Sequence, residues 1–228
     1  MASPYWRARR DNPTQEDLIA RVQAGVSPNY KGNPNLVRNR PANIPPTENS
    51  SVWLNGLPAD VSIYEVLAAV RNTGRVYATV IRRPTLRFPT SGAKITFFTA
   101  AAAQALVRRY DGQGASRLII RNHNVLVRFD RNAVAEATEP ADHTRVLIIY
   151  GRKEVVNVEF LSNYFKNTMV YEIDEVVPLA LGECINMLEW RFGSYRCQAE
   201  WARGNLLGDA IFDGHEVSVR FGRDPCGI

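Results

Sequence analysis

Lysine is scarce in this chain, supplying only four of its 28 basic residues (Lys31, Lys94, Lys153 and Lys166). Cysteine and histidine are scarcer, with three of each. Cys184, Cys197 and Cys226 form an odd set with no CxxC pair, so the pattern predicts neither a disulfide framework nor a structural zinc, and the thiols read as small hydrophobes. No metal and no cofactor is expected. No apolar run approaches the roughly 20 residues that span a bilayer, which argues against a membrane partner. The opening MASPYWRARRDNPTQ has no apolar h-region, so an intracellular protein is expected, with the nucleus favoured over the cytoplasm. No GxSxG elbow lies beside His123, His143 or His215, and no Walker or dinucleotide glycine pattern occurs. Catalysis, and with it any catalytic residue, is therefore not expected.

What the chain does have is arginine, the side chain that binds phosphate bidentately and stacks on bases. It is unevenly placed. Residues 1–50 carry seven basic against four acidic residues, residues 51–140 twelve against six, and residues 141–228 nine against thirteen. A basic first half and an acidic second half assign polyanion contact to the first. The hydrophobic share of 45% and charged share of 22% are those of a globular protein.

Residues 1–50 are rich in Pro, Asn and Arg and poor in large apolar side chains, which predicts a disordered basic arm. One short helix is expected there over 15–24, capped by Thr14, with Leu18, Ile19 and Val22 on one face. From Ser51 the pattern becomes α+β, and one order of elements, β-α-β-β-α-β, is passed through twice. In the first pass VWLNGLP is a strand, Ser62 and Glu65 form a capping box, and Val66, Leu67 and Val70 share a helix face that Gly74 would terminate. A strand at 76–81, the alternating segment GAKITFF, a helix capped by Thr99 and a last strand at 125–129 complete it. The second pass runs through strands at 146–150, 171–177 and 185–190, helices capped by Asn157 and Ser194, and a final strand after Gly214. The expected boundaries are a first domain at 51–131, a polar linker at 132–144, a second domain at 145–224 and a tail at 225–228.

Val52-Trp53-Leu54-Asn55-Gly56-Leu57 resembles the first-strand motif of the RNA-recognition-motif (RRM) family at every position. The third-strand motif is kept only at Ala93, Ile95 and Phe97 of TSGAKITF, with Gly92 and Lys94 where two surface aromatics belong. In the second repeat, VLIIYG (146–151) and ECINMLEW (183–190) stand at the same places without aromatics on the binding face. The segments VYATVI and VYEIDEVV are similar to fungal members of the family. The likeness implies two ferredoxin-like domains in tandem, each a sheet with two helices on one face, and single-stranded RNA as the partner.

On that alignment the RNA-binding candidates are Trp53, Asn55, Lys94, Thr96 and Arg128 on the open sheet face, with Arg82, Arg83 and Arg87 in the loop beside it. Trp53 is the stacking candidate. The second domain is read as a degenerate RRM whose face offers Leu147, Ile149, Ile185 and Met187, apolar groups suited to a protein partner or self-association. A scaffold of vestigial RRM folds is the alternative function.

Overall fold

The structure, a computed structural model, describes residues 14–23, 42–110 and 116–227, in two units, 1–43 and 44–228. In the first unit the described element is helix α1 (Gln15–Gln23), opened by a hydrogen bond from Leu18 N to Thr14 O. Ile19 and Val22 are exposed along it. Residues 1–13 and 24–41 of the expected arm, including Arg7, Arg9 and Arg10, lie outside the described residues, whereas its last residues are ordered within the second unit: Pro46–Glu48 form a 3-10 turn, and Asn49 and Ser50 are buried.

The second unit contains both repeats. The first comprises β1 (Ser51–Leu57), α2 (Ile63–Ala68), β2 (Val76–Arg82), β3 (Ser91–Phe97), α3 (Ala100–Arg109), β4 (Leu118–Ile120) and β5 (His123–Phe129). The second comprises β6 (Val146–Arg152), α4 (Val158–Thr168), β7 (Ile173–Leu181), β8 (Ile185–Phe192), α5 (Glu200–Gly208) and β9 (Ser218–Phe221). Their sheets have the orders β2-β3-β1-β5-β4 and β7-β8-β6-β9, with every neighbouring pair antiparallel. Both are the split β-α-β arrangement of the RRM fold.

Local chemistry explains the elements. The capping box is present, with Ser62 accepting from Glu65 N while the Glu65 carboxylate accepts from Ser62 N at 2.9 Å. Thr99 and Asn157 cap α3 and α4 as expected. Gly74 serves a different purpose from the one expected: a Cβ there would lie 2.3 Å from the Ala102 methyl, so it lets the α2–β2 turn approach α3. The short strand β4 was not anticipated. It folds back on β5 through a two-residue turn in which Arg121 and Asn122 both take positive φ (45° and 65°). The Arg121 side chain secures that turn by pairing with Asp60 at 2.8 Å and with Glu65. This pairing, together with the Ser62 amide, holds the Glu65 carboxyl down at about 2.

The two RRM folds are joined by more than the linker. Residues 130–137 are bound along the first sheet, where Ser50 N donates to Val134 O at 2.8 Å and Ala137 N donates to Phe98 O at 2.9 Å. Ser194 does not cap a helix. Its hydroxyl accepts from Thr79 N at 2.8 Å, tying the second repeat to the backbone of β2. The residues after it make a kinked turn in which Cys197 has φ of 62°. Tyr77, Phe98 and Tyr195 pack ring against ring at 5.3–5.8 Å across the junction, and Arg75 lies over Phe98 at 4.3 Å.

The C-terminal residues, expected as a tail from 225, act as a clasp. Cys226 is fully buried in the first repeat's core with Leu67 and Val70, and its carbonyl accepts from Thr73 N and Gly74 N at 2.9 and 2.7 Å. Asp224 accepts from Val76 N at 2.8 Å and pairs with Arg145 at 3.0 Å. Arg145 also pairs with Asp174 at 2.8 Å, and none of the three side chains reaches solvent. Burial pulls the Arg145 guanidinium down, but Asp224 and Asp174 more than offset it and leave the group above its ordinary value, so it is charged. Such a triad is poor evidence of net stabilisation, yet losing Arg145 would leave two buried carboxylates without their cation.

Candidate nucleic-acid interface

Period-two alternation buries Val52 and Leu54 beneath the helices and turns Trp53 and Asn55 to the open face of the first sheet. Trp53 is half-buried there. Its indole crosses the neighbouring strand and lies against Gly92, where a Cβ would stand 2.5 Å from the ring. The glycine that replaces a family aromatic is thus the floor on which the tryptophan rests. Arg82, which pairs with Gly92 across β2 and β3, sets its guanidinium 5.6 Å from the indole centre, within cation–π range. Arg128 is opposite Trp53 on β5 and Leu126 is opposite Asn55, and all three of Asn55, Leu126 and Arg128 are exposed.

The remaining candidates divide. Lys94 lies on the same face but is committed to Asp130 at 2.5 Å and to the Asn132 carbonyl at 3.0 Å. Thr96 points to that face but is 5% exposed, at the end of the sheet where the bound linker passes, and so offers no contact surface. Arg83 donates to the Val61 carbonyl at 2.6 Å, a contact that anchors the base of the β2–β3 loop. Arg87 is exposed at the loop's tip, 5.5 Å from the Phe88 ring. Sequence reasoning missed Val80, Leu86 and Phe88, all exposed apolar groups on or beside this face. A signal for the whole region was available: between Glu65 and Asp111 there is no acidic residue, while Arg71, Arg75, Arg82, Arg83, Arg87, Lys94, Arg108 and Arg109 fall within it.

The second sheet departs from expectation. Leu147 and Ile149 are fully buried in the second core with Leu188 and Trp190, so they cannot form an exposed interface. The open face of β6 carries Val146, Ile148 and Tyr150, one residue out of step with the motif alignment. Ile185 and Met187 are half-buried. Across that face Arg191 pairs with Glu175 and Glu189, and Ile148 and Val146 are 5% and 0% exposed, so the central apolar groups are covered. Among the described residues of β6, Tyr150 emerges, at 38% exposed.

Among the described residues no group of three His, Cys, Asp or Glu side chains is placed to hold a metal, and no helix is long and apolar enough to cross a membrane. The three histidines are apart: His123 lies at the β4–β5 turn, His143 contacts Tyr195 at the domain junction, and the His215 carbonyl accepts from Arg152 N.

No family model and no curated protein matches the chain. Solved structures do. RNA recognition domains 1 and 2 of Sex-lethal from Drosophila melanogaster share 18% identity over 76% of this chain and 100% of that one, with a TM-score of 0.29. The N-terminal three RNA binding domains of the yeast splicing factor Prp24 share 11% over 76% of this chain and 64% of that one, at 0.33. The first two RRM domains of the yeast poly(U) binding protein Pub1 share 12% over 76% and 99%, at 0.30. Scores this low add nothing to what the chain's own connectivity establishes. With the first and third strands of each repeat central in an antiparallel sheet and two helices behind them, the second unit holds two ferredoxin-like β-α-β-β-α-β folds in tandem, the fold expected of an RRM pair.

Proposed function

We propose that the protein binds single-stranded RNA on the open face of its first RRM, with a nucleobase stacked on Trp53. The observation that carries this reading is the indole itself, held over Gly92 on a solvent-facing sheet with Arg82 against it. Arg82 and Arg128 flank the ring and supply charge for the phosphates, while Asn55 is placed to hydrogen-bond a base edge. Two family aromatics are missing, at about 1–3 kcal/mol per stacked base, so affinity drops by about 2–6 kcal/mol, or one to four decades. The surrounding arginines offset part of that through contacts that carry little sequence information. The second RRM braces the first through the clasp and presents a face of paired charges.

The test is fluorescence anisotropy of the full chain on labelled oligouridylate and oligoadenylate, since stacking accepts any base. Trp53→Ala lowers affinity by about 1–3 kcal/mol, and wild-type affinity falls steeply with salt. Unchanged affinity in that variant contradicts the reading. The alternative, a protein-binding scaffold, is favoured by one observation: Leu179 and Leu181 are exposed at the far end of edge strand β7. It predicts no RNA binding at low salt.

A further inference from the structure

The β2–β3 loop is not a slack connection. Thr85 and Phe88 exchange backbone hydrogen bonds, Thr85 N to Phe88 O at 2.8 Å and Phe88 N to Thr85 O at 3.0 Å, closing a two-residue turn over Leu86 and Arg87. Pro84 and Pro89 bracket this turn and fix φ on either side. At its base Arg83 is tied to the Val61 carbonyl. A turn bonded at its neck and restrained at both shoulders loses little entropy when something binds it.

What it presents has no use inside the protein. Phe88 is 61% exposed and Leu86 entirely so. Arg87 stands 5.5 Å from the Phe88 ring, repeating the 5.6 Å relation of Arg82 to Trp53. The loop springs from the very residues that touch the indole, because Arg82 ends β2 and Gly92 pairs with it in β3. From Arg82 through Gly92 there are three arginines, Arg82, Arg83 and Arg87, and no carboxylate.

We propose that the Thr85–Phe88 turn is a second base-binding platform, on which Phe88 and Arg87 take a nucleobase of the same RNA strand that stacks on Trp53. The inference rests on the RNA-binding reading and deepens it, supplying from the loop an aromatic that β3 lacks. An arginine beside each ring also places a positive charge where the strand's phosphates run, a feature with no value for an apolar protein ligand. Leu86 separates the two chemistries. It is more exposed than Phe88 but has no π-face, so a nucleobase discriminates between them and an apolar protein surface does not.

The experiment measures the affinity of the full chain for labelled oligouridylate in four variants. Both side chains are exposed, so neither substitution threatens the core. Phe88→Ala weakens binding about tenfold, Phe88→Trp restores it, Leu86→Ala leaves it within about twofold, and Trp53→Ala weakens it independently. If Phe88→Ala binds like the wild type while Trp53→Ala is impaired, the platform is overturned and the sheet reading survives. If Leu86→Ala costs as much as Phe88→Ala, the tip is an apolar docking point and the proposal fails. If none of the variants departs from the wild type, both readings fall.

Discussion

Replacing Asp224 with alanine should loosen the whole second unit. Its carboxylate accepts from Val76 N at 2.8 Å and from Cys226 N at 2.9 Å, and pairs with Arg145 at 3.0 Å, all without solvent. The variant leaves Arg145 still paired with Asp174 and bonded to the Phe192 carbonyl, so no charge is stranded, but the buried amides of Val76 and Cys226 lose their acceptor. Each orphaned buried donor costs about 1–3 kcal/mol, about 2–6 kcal/mol for the two. For a protein of this length each kcal/mol is worth about 2–4 °C, so Tm falls by about 4–24 °C. Urea unfolding at neutral pH measures the loss directly, and hydrogen exchange locates it. The amides of Thr73, Gly74 and Val76, which the C-terminal residues hold, should exchange faster in the variant. A stability change below about 1 kcal/mol, or exchange unaltered at those amides, would refute the clasp. The same reasoning predicts that a fragment ending near 131 is compromised, because it lacks a core residue, Cys226.

Burial pushes the Cys226 thiol up to about 12, so in the native protein iodoacetamide should label the exposed Cys184 and Cys197 and spare Cys226, with three adducts by mass spectrometry only after denaturation. Arg121 and the Ser62 amide depress the Glu65 carboxyl from its ordinary 4.5 to about 2. A lowered carboxylate contributes stability above the unfolded value and loses it as pH falls through the folded one. The stability gap between wild type and Glu65→Gln should therefore be full at neutral pH and shrink between pH 4.5 and about 2, as urea midpoints would show. In Gly92→Ala the new methyl meets the indole at 2.5 Å, so the ring must tilt. RNA affinity should drop by an amount comparable to Trp53→Ala while the far-UV spectrum is retained.

Much of this was legible in the sequence where a residue's chemistry has one local outcome. Ser62 with Glu65, Thr99 and Asn157 cap helices because their neighbours in sequence supply the partner amides. Lys94 falls on the open face because Ala93-Lys94-Ile95 alternates in polarity, while Val52-Trp53-Leu54 is apolar throughout and Trp53 is placed by the resemblance to the first-strand motif, two residues before the polar Asn55. The second repeat failed for the converse reason. Val146-Leu147-Ile148-Ile149 is apolar at every position, so period two has no phase there, and a one-residue slip exchanges the two faces. Burial of Leu147 and Ile149 was decided by contacts with Trp190 and Leu188 that no local pattern announces. Long-range outcomes were equally hidden. Ser194 finds Thr79 115 residues away, and Cys226 finds Leu67 159 residues away. Gly92 looked like a lost motif position and is instead the seat of the indole.

A nucleobase stacked on Trp53 would carry the RNA strand across β1 and β3 of the first repeat. Ultraviolet crosslinking of the full chain to oligouridylate, followed by mass spectrometry of the adducts, tests it without altering the protein. Adducts should concentrate on peptides containing Trp53 and residues 82–94. Adducts confined to the second RRM, or none at low salt, would contradict it.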